Sequence, residues 1–242
     1  MKSATIYGVG LGPGDLDLLS VKADRLVRSA KVVAYFRKAG KKGQARRLAD
    51  PLVSADALEI PMEYPVTTEI PLDDPRYNEI LSAFYEQSCA ILREHLNAGQ
   101  DVVVLCEGDP FFYGSFMHLH SRLMQGYNVE VVPAITGMSG AWTATNQPIT
   151  WGDDILTVLM GTLDQTTLSE RMQSTDALVV MKIGTNFPKV CQALKDAGLY
   201  DRAWMVQYAT MPDQMVSKLS DFRGEKVPYF TIIVVHGQGR RP

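Results

Sequence analysis

Three short segments carry residue types that could do chemistry. The first is Gly8-Val-Gly10-Leu-Gly12-Pro13-Gly14-Asp15. It follows the apolar run Thr5–Val9, which reads as a strand, and precedes a helical pattern that Ser20 could cap. A strand, a glycine-rich turn and a helix commonly hold a nucleotide-like ligand. Counted from Gly8, the sixth position of G-x-G-x-x-G is Pro13, and counted from Gly10 it is Asp15, so the dinucleotide fingerprint fails. No G-x-x-x-x-G-K-[ST] follows, and Asp15 would repel a phosphate. The turn therefore suits close backbone approach to something other than a polyphosphate, or else simply a tight strand-to-helix connection.

The second segment is Glu107-Gly108-Asp109-Pro110-Phe111-Phe112-Tyr113-Gly114, directly after the apolar strand pattern Val102–Cys106. That places it at a strand's carboxyl end, where open α/β sheets hold ligands. Asp109 could accept hydrogen bonds from a ligand's hydroxyls or ammonium, or cap the turn that follows. The third, Pro133-Ala-Ile-Thr136-Gly137-Met-Ser-Gly-Ala141, also leaves a strand and opens a helix. A fourth feature is electrostatic. Arg37-Lys38-Ala-Gly-Lys41-Lys42-Gly-Gln-Ala-Arg46-Arg47 holds six basic residues and no acid. It reads either as a solvated loop and helix face or as a clamp for carboxylates.

The elements that must position these segments alternate along 242 residues. Strand patterns at Thr5–Val9, Lys31–Phe36, Val102–Cys106 and Val129–Val132 interleave with helical patterns. One helix is signalled by Asp74 as N-cap, Pro75 at N1 and Gly99 past its end. After Pro148–Gly152 the rhythm restarts with strands Ile155–Leu159, Ala177–Met181, Trp204–Tyr208 and Tyr229–His236. The expected fold is α/β in two domains, 1–148 and 153–242, each a mixed or parallel sheet flanked by helices, with a ligand cleft between them. Pro61–Pro75 reads as a lid or an ordered surface loop.

Composition limits the function classes. Hydrophobic residues make up 46% and charged residues 21%, which argues against disorder. The net charge of −3 and a pI near 5.8 disfavour a general nucleic-acid binder, and the basic run lacks interleaved aromatics. Cys89, Cys106 and Cys191 are too widely spaced for a disulfide framework or a CxxC metal site, so no metal is expected. His118 and His120 are two apart, which on a helix turns them to different faces. The first ten residues lack the apolar core of a signal peptide, and no apolar run approaches ~18 residues. A cytoplasmic protein without a membrane or nucleic-acid partner is expected.

Taken in order, GxGPGD with Leu-Leu-Ser-Val-Lys-Ala23, then GDPxxYG, then P-x-x-T-G, resemble the tetrapyrrole methylase family. Val180–Gly184 and the Tyr229–Val235 strand are similar to that family too, so the resemblance spans nearly the whole chain. It implies a two-domain S-adenosylmethionine enzyme that methylates a carbon of a tetrapyrrole, and a homodimer. Within the family, Glu107–His120 and Tyr64–Thr68 are most similar to the branch that methylates precorrin-2 at C-20 to give precorrin-3A in cobalamin synthesis. Cobalt-factor II is the alternative substrate, and uroporphyrinogen-III or diphthamide methylation the alternative activities. The uroporphyrinogen-III methylases carry Gly-Gly-Asp-Pro where Glu107-Gly-Asp-Pro stands here.

The resemblance assigns Pro13, Gly108, Asp109, Phe112, Thr136, Gly137, Met181 and Ala209 to the cofactor. It implies a substrate with eight carboxylates, for which Lys41, Lys42, Arg46 and Tyr64 are candidate contacts. The acceptor carbon is itself the nucleophile, so no covalent enzyme nucleophile is expected. Glu107, Tyr113 and His118 are candidates for proton transfer by their location, Glu107 and Tyr113 mainly for positioning.

Overall fold

The computed structural model describes residues 4–66 and 74–241. The chain divides into two compact units, Met1–Thr136 and Gly137–Pro242. This division lies one helix earlier than a break at 148–153.

In the first unit the strands are β1 (Thr5–Gly10), β2 (Val32–Lys38), β3 (Leu58–Tyr64), β4 (Val102–Cys106) and β5 (Asn128–Val132). The helices are α1 (Val21–Ser29), α2 (Gln44–Leu48), α3 (Pro75–Asn97) and α4 (Phe116–Leu123). The sheet is parallel throughout, in the order β3-β2-β4-β1-β5. β4 is buried along its whole length because both faces of this sheet are covered. Val102, Val104 and Cys106 pack with residues of α3 and α4, while Val103 and Leu105 pack with residues of α1 and α2. The alternation of side chains along a strand does this sorting.

Local signals set the helix starts. Ser20 accepts the Ala23 amide at the head of α1. Asp74 accepts the Arg76 amide at the head of α3, with Pro75 in the first turn. Gly99, at φ +76°, follows the end of α3.

Two elements of this unit, α2 and β3, were not expected from pattern. β3 takes in Pro61–Tyr64, the first part of the segment read above as a lid or loop. Pro61 is tolerated there because β3 is an edge strand. Residues 67–73 of that segment lie outside the described residues.

The second unit contains α5 (Gly137–Ala144), β6 (Leu156–Met160), α6 (Gln165–Gln173), β7 (Ala177–Met181), α7 (Phe187–Asp196), β8 (Trp204–Gln207), β9 (Met215–Lys218) and β10 (Thr231–Val235). Its sheet order is β6-β7-β10-β8-β9, with β6 and β7 parallel and the remaining pairs antiparallel. Leu178, Val180, Met205, Ile233 and Val235 pack against α6 and α7. Val179, Val206 and Val234 pack against α5 on the other face. That packing is why α5 belongs to this unit. Among the described residues no helix is long and apolar enough to cross a membrane.

Candidate active site

The three motif segments leave the carboxyl ends of β4, β1 and β5, which are neighbours in the first sheet. Strand order therefore gathers what is scattered over some 130 positions of sequence. The turns are also tied to each other. Leu11 N–H donates to the Cys106 carbonyl at 2.9 Å, and Gly108 N–H donates to the Gly12 carbonyl at 3.0 Å. Gly12 and Gly108 form an isolated antiparallel bridge, and Pro13, next to Gly12, is buried. Both adopt positive φ, +74° and +62°, which a side chain would resist.

Gly10 sits where the turns converge. A Cβ there would fall 2.6 Å from the Ala134 Cβ, 2.7 Å from the Gly108 carbonyl oxygen and 3.0 Å from the Pro110 Cδ. Asp15 caps the short 3-10 turn Leu16–Leu18 by accepting the Asp17 amide.

Asp109 ties the second segment to the third. Its Oδ1 accepts Phe111 N–H and its Oδ2 accepts Ala134 N–H, both at 2.9 Å. The turn-capping role is thus present, and each oxygen keeps a second lone pair for a ligand donor. Phe112 packs edge-on against Tyr113, with ring centroids 5.0 Å apart. Tyr113 has φ +55°, an uncommon conformation for a side-chain-bearing residue, and it is 45% exposed. Held strain of this kind clusters at ligand sites. Thr136 and Gly137 lie at the division between the units, and Gly137 opens α5.

Glu107 is largely buried. Its Oε1 accepts the Ala45 amide of α2 at 3.2 Å. Burial pushes the carboxyl up to about 7, and the Ala45 hydrogen bond opposes this only in part. The group is poised to exchange a proton near neutral pH. The neighbouring Cys106 thiol is also pushed up by burial, which leaves it a poor nucleophile.

The basic run does not act as one patch. Arg46 is only 9% exposed, and its guanidinium grips Glu59 at 3.0 and 2.6 Å and Asp50 at 2.6 Å. Lys42 pairs with Asp50 at 2.6 Å, and Arg37 pairs with Glu63. The neutralising acids lie outside the run, at 50, 59 and 63, so the run itself gave no sign of them. Lys38, Lys41 and Arg47 are exposed and form no ion pair with any described residue.

Tyr64 ends β3, stacks on Phe36 at 5.4 Å and hydrogen-bonds Ser115 through its hydroxyl. Tyr64 thereby joins β3 to the head of α4, a link that spacing could not reveal. His118 stacks on Tyr85 and His120 packs edge-on against Phe111, as separate helix faces require.

In the second unit, Met181 ends β7 and is partly buried. Ala209 is 9% exposed and lies between Tyr208 at φ +50° and Thr210 at φ +65°. Lys182, next to Met181, has φ +53°. These strained positions follow β7 and β8, and no sequence pattern announces them. Among the described residues no cluster of three or more His, Cys, Asp or Glu could hold a metal ion.

Comparison with known proteins identifies the family. The sequence pattern of the Tetrapyrrole (Corrin/Porphyrin) Methylases matches residues 5–221. The chain belongs to the tetrapyrrole methylases. It is 45% identical to the precorrin-2 C(20)-methyltransferase of a Sinorhizobium species, over 98% of this chain and 97% of that protein. It is 26% identical to the cobalt-precorrin-2 C(20)-methyltransferase of Salmonella typhimurium, over 96% of each.

Among solved structures, a Thermus thermophilus uroporphyrin-III C-methyltransferase complexed with S-adenosylhomocysteine is similar at TM-score 0.67 and 23% identity. That match covers 96% of this chain and 97% of the other, and it bears on the fold alone. The family expected from the ordered motifs is thus borne out, as is the two-sheet α/β architecture.

Proposed function

We propose that this tetrapyrrole methylase transfers a methyl group from S-adenosylmethionine to C-20 of precorrin-2, giving precorrin-3A in cobalamin synthesis. The observation that carries this is the 45% identity, essentially end to end, with the Sinorhizobium precorrin-2 C(20)-methyltransferase. The cobalt-loaded substrate is the second reading, supported by the weaker similarity to the Salmonella enzyme.

The residues fit such a cofactor. The convergence at Gly10 leaves no room for a Cβ, so backbone lines the turn. No lysine waits there for a phosphate, and S-adenosylmethionine has none. Pro13, Gly108, Asp109, Phe112, Thr136 and Gly137 would hold it, with Asp109 offering its spare lone pairs to hydroxyl or ammonium donors. The resemblance adds Met181 and Ala209 of the second unit.

When bound, S-adenosylmethionine supplies an electrophilic methyl on a sulfonium and is left as S-adenosylhomocysteine. The attacking electrons come from the tetrapyrrole carbon, so the protein's task is alignment and exclusion of water. Such positioning can supply as much as ~7–11 kcal/mol. The proton on the newly methylated carbon must then leave, and Glu107 is the acceptor we assign, at Oε2. Tyr113, held at positive φ in the same turn segment, is assigned to positioning.

Lys41, with Lys38 and Arg47, is free to meet substrate carboxylates; Lys42 shares its charge with Asp50. Arg46 is occupied by Glu59 and Asp50, and the Tyr64 hydroxyl, our remaining candidate contact, is bonded to Ser115. We further propose a cytoplasmic homodimer, a location supported by the three free cysteines.

The test is anaerobic incubation with isotopically labelled S-adenosylmethionine and either precorrin-2 or cobalt-factor II, read by product mass and NMR. One labelled methyl at C-20 of precorrin-2 is expected. Methylation at another carbon, or only of the cobalt-loaded compound, overturns the assignment.

A further inference from the structure

Glu107 hangs on a weak element. Its one hydrogen bond comes from Ala45, and α2 is only five residues long. Isolated helices that short do not hold themselves in water. Two features outside α2 fix it. Gly43, at its N-cap, lies so close to β2 that a Cβ would meet the Phe36 carbonyl oxygen at 2.3 Å. Arg46, on the turn that carries Ala45, reaches across to edge strand β3 and grips Glu59 with two parallel hydrogen bonds. A two-point Arg–carboxylate grip fixes orientation as well as distance.

We propose that Arg46 and Glu59 are positioning residues for methyl transfer, which clamp α2 to β3 so that it covers Glu107 and its Ala45 amide holds that carboxylate ready to accept the substrate proton. The proposal rests on the reading of Glu107 given above. In the step concerned, the carbon–methyl bond forms as the sulfur–methyl bond breaks, with that electron pair staying on sulfur. The C–H proton then passes to Glu107, and its bonding pair returns to the ring system.

Few other charges act on Glu107. The neighbouring Cys106 thiol donates to the Val104 carbonyl and packs on the α3 and α4 side of the sheet, and Asp109 is turned to Phe111 and Ala134. From α2 comes the Ala45 amide, while Arg46 is turned away to Glu59 and Asp50. Among the described residues no cation pairs with Glu107. The cover and the single amide therefore govern its proton affinity.

The experiment follows the Glu107 side chain by carboxyl-carbon NMR across pH, assigned with Glu107→Gln, beside kcat and KM profiles for precorrin-2. In Arg46→Met and Glu59→Gln, water reaches Glu107. Its midpoint is expected to fall by a pH unit or more, a tenfold change in proton affinity. The limb of kcat against pH is expected to move with it, while KM for precorrin-2 stays within twofold. Ala45→Pro removes only the amide donor, so the midpoint is expected to rise. This chain already carries a proline in the first turn of α7, Pro188.

A wild-type midpoint in Arg46→Met together with a raised KM overturns the proposal and makes Arg46 a substrate contact. If Arg46→Met does not fold, Glu59→Gln decides on the same readouts. The NMR titration needs no turnover. Shifted midpoints in a protein inactive on precorrin-2 would therefore sink the proposed reaction and leave the clamp standing.

Discussion

Asp109 holds two segments of the fold together at the place where we propose the cofactor binds. Its oxygens accept the amides of Phe111 and Ala134, so replacing it orphans two donors at about 1–3 kcal/mol each where they are buried. Asp109→Ala is therefore expected to weaken S-adenosylhomocysteine binding by tenfold or more and to lower the melting temperature. Calorimetric titration checks the first, and wild-type affinity would refute this placement of the cofactor. Lys41 is the converse case, a side chain with no structural partner. Lys41→Glu is expected to raise KM for the tetrapyrrole severalfold with cofactor affinity unchanged, read from steady-state kinetics; an unaltered KM returns it to a solvated loop. The types of these residues were visible in sequence. Whether a cation is free or already paired was not, because Asp50, Glu59 and Glu63 reach the basic run only after β2, α2 and β3 assemble.

Strand order gives the motif turns their meaning as a unit. β1 lies between β4 and β5, so the turn after β1 is pressed between the other two. Gly10→Ala would drive a methyl into Ala134, Gly108 and Pro110. Overpacking of this kind typically costs ~1–3 kcal/mol. The variant is expected to stay folded, by circular dichroism, and to lose most cofactor binding, by titration. Normal binding would mean that the close approach is incidental. The long elements with strong punctuation, such as α3 between Asp74 and Gly99 and the all-apolar β4, could be read from pattern. α2, β3 and β9 could not. α2 is too short to show a period. β3 carries a proline, and only the edge position makes that acceptable. β9 is a four-residue strand defined by its pairing with β8.

For the molecule as a whole, the two units can be probed through their buried titratable groups. His236, 9% exposed in the second unit, donates from Nδ1 to the Pro148 carbonyl at 2.9 Å and meets Thr145 Oγ1 through Nε2 at 3.0 Å. Burial holds its pKa below the usual histidine value, with Lys218 adding to the effect and the Pro148 bond opposing it. The unfolded chain therefore binds this proton more readily than the folded one. The stability due to neutral His236 is present above the unfolded value near 6.5 and is lost as pH falls through it. Set against the opposite and shared effect of Glu107, whose raised carboxyl gains stability as pH falls below about 7, the wild type is expected to show a His236-dependent drop in melting temperature below about pH 6.5 relative to His236→Gln. His236→Gln is expected to flatten that drop, and an equal drop in the variant refutes the assignment.

By itself the sequence determined the α/β class, the family and the three motif turns at strand ends. Each depends on local periodicity or on an ordered set of short motifs. The tertiary structure alone decided that α5 belongs with the second unit, that the first sheet is wholly parallel and the second mixed, and that Arg46 turns inward while Lys41 does not. Those outcomes depend on which distant surfaces meet, and hydrophobic burial and charge pairing settle that only once the chain has closed on itself.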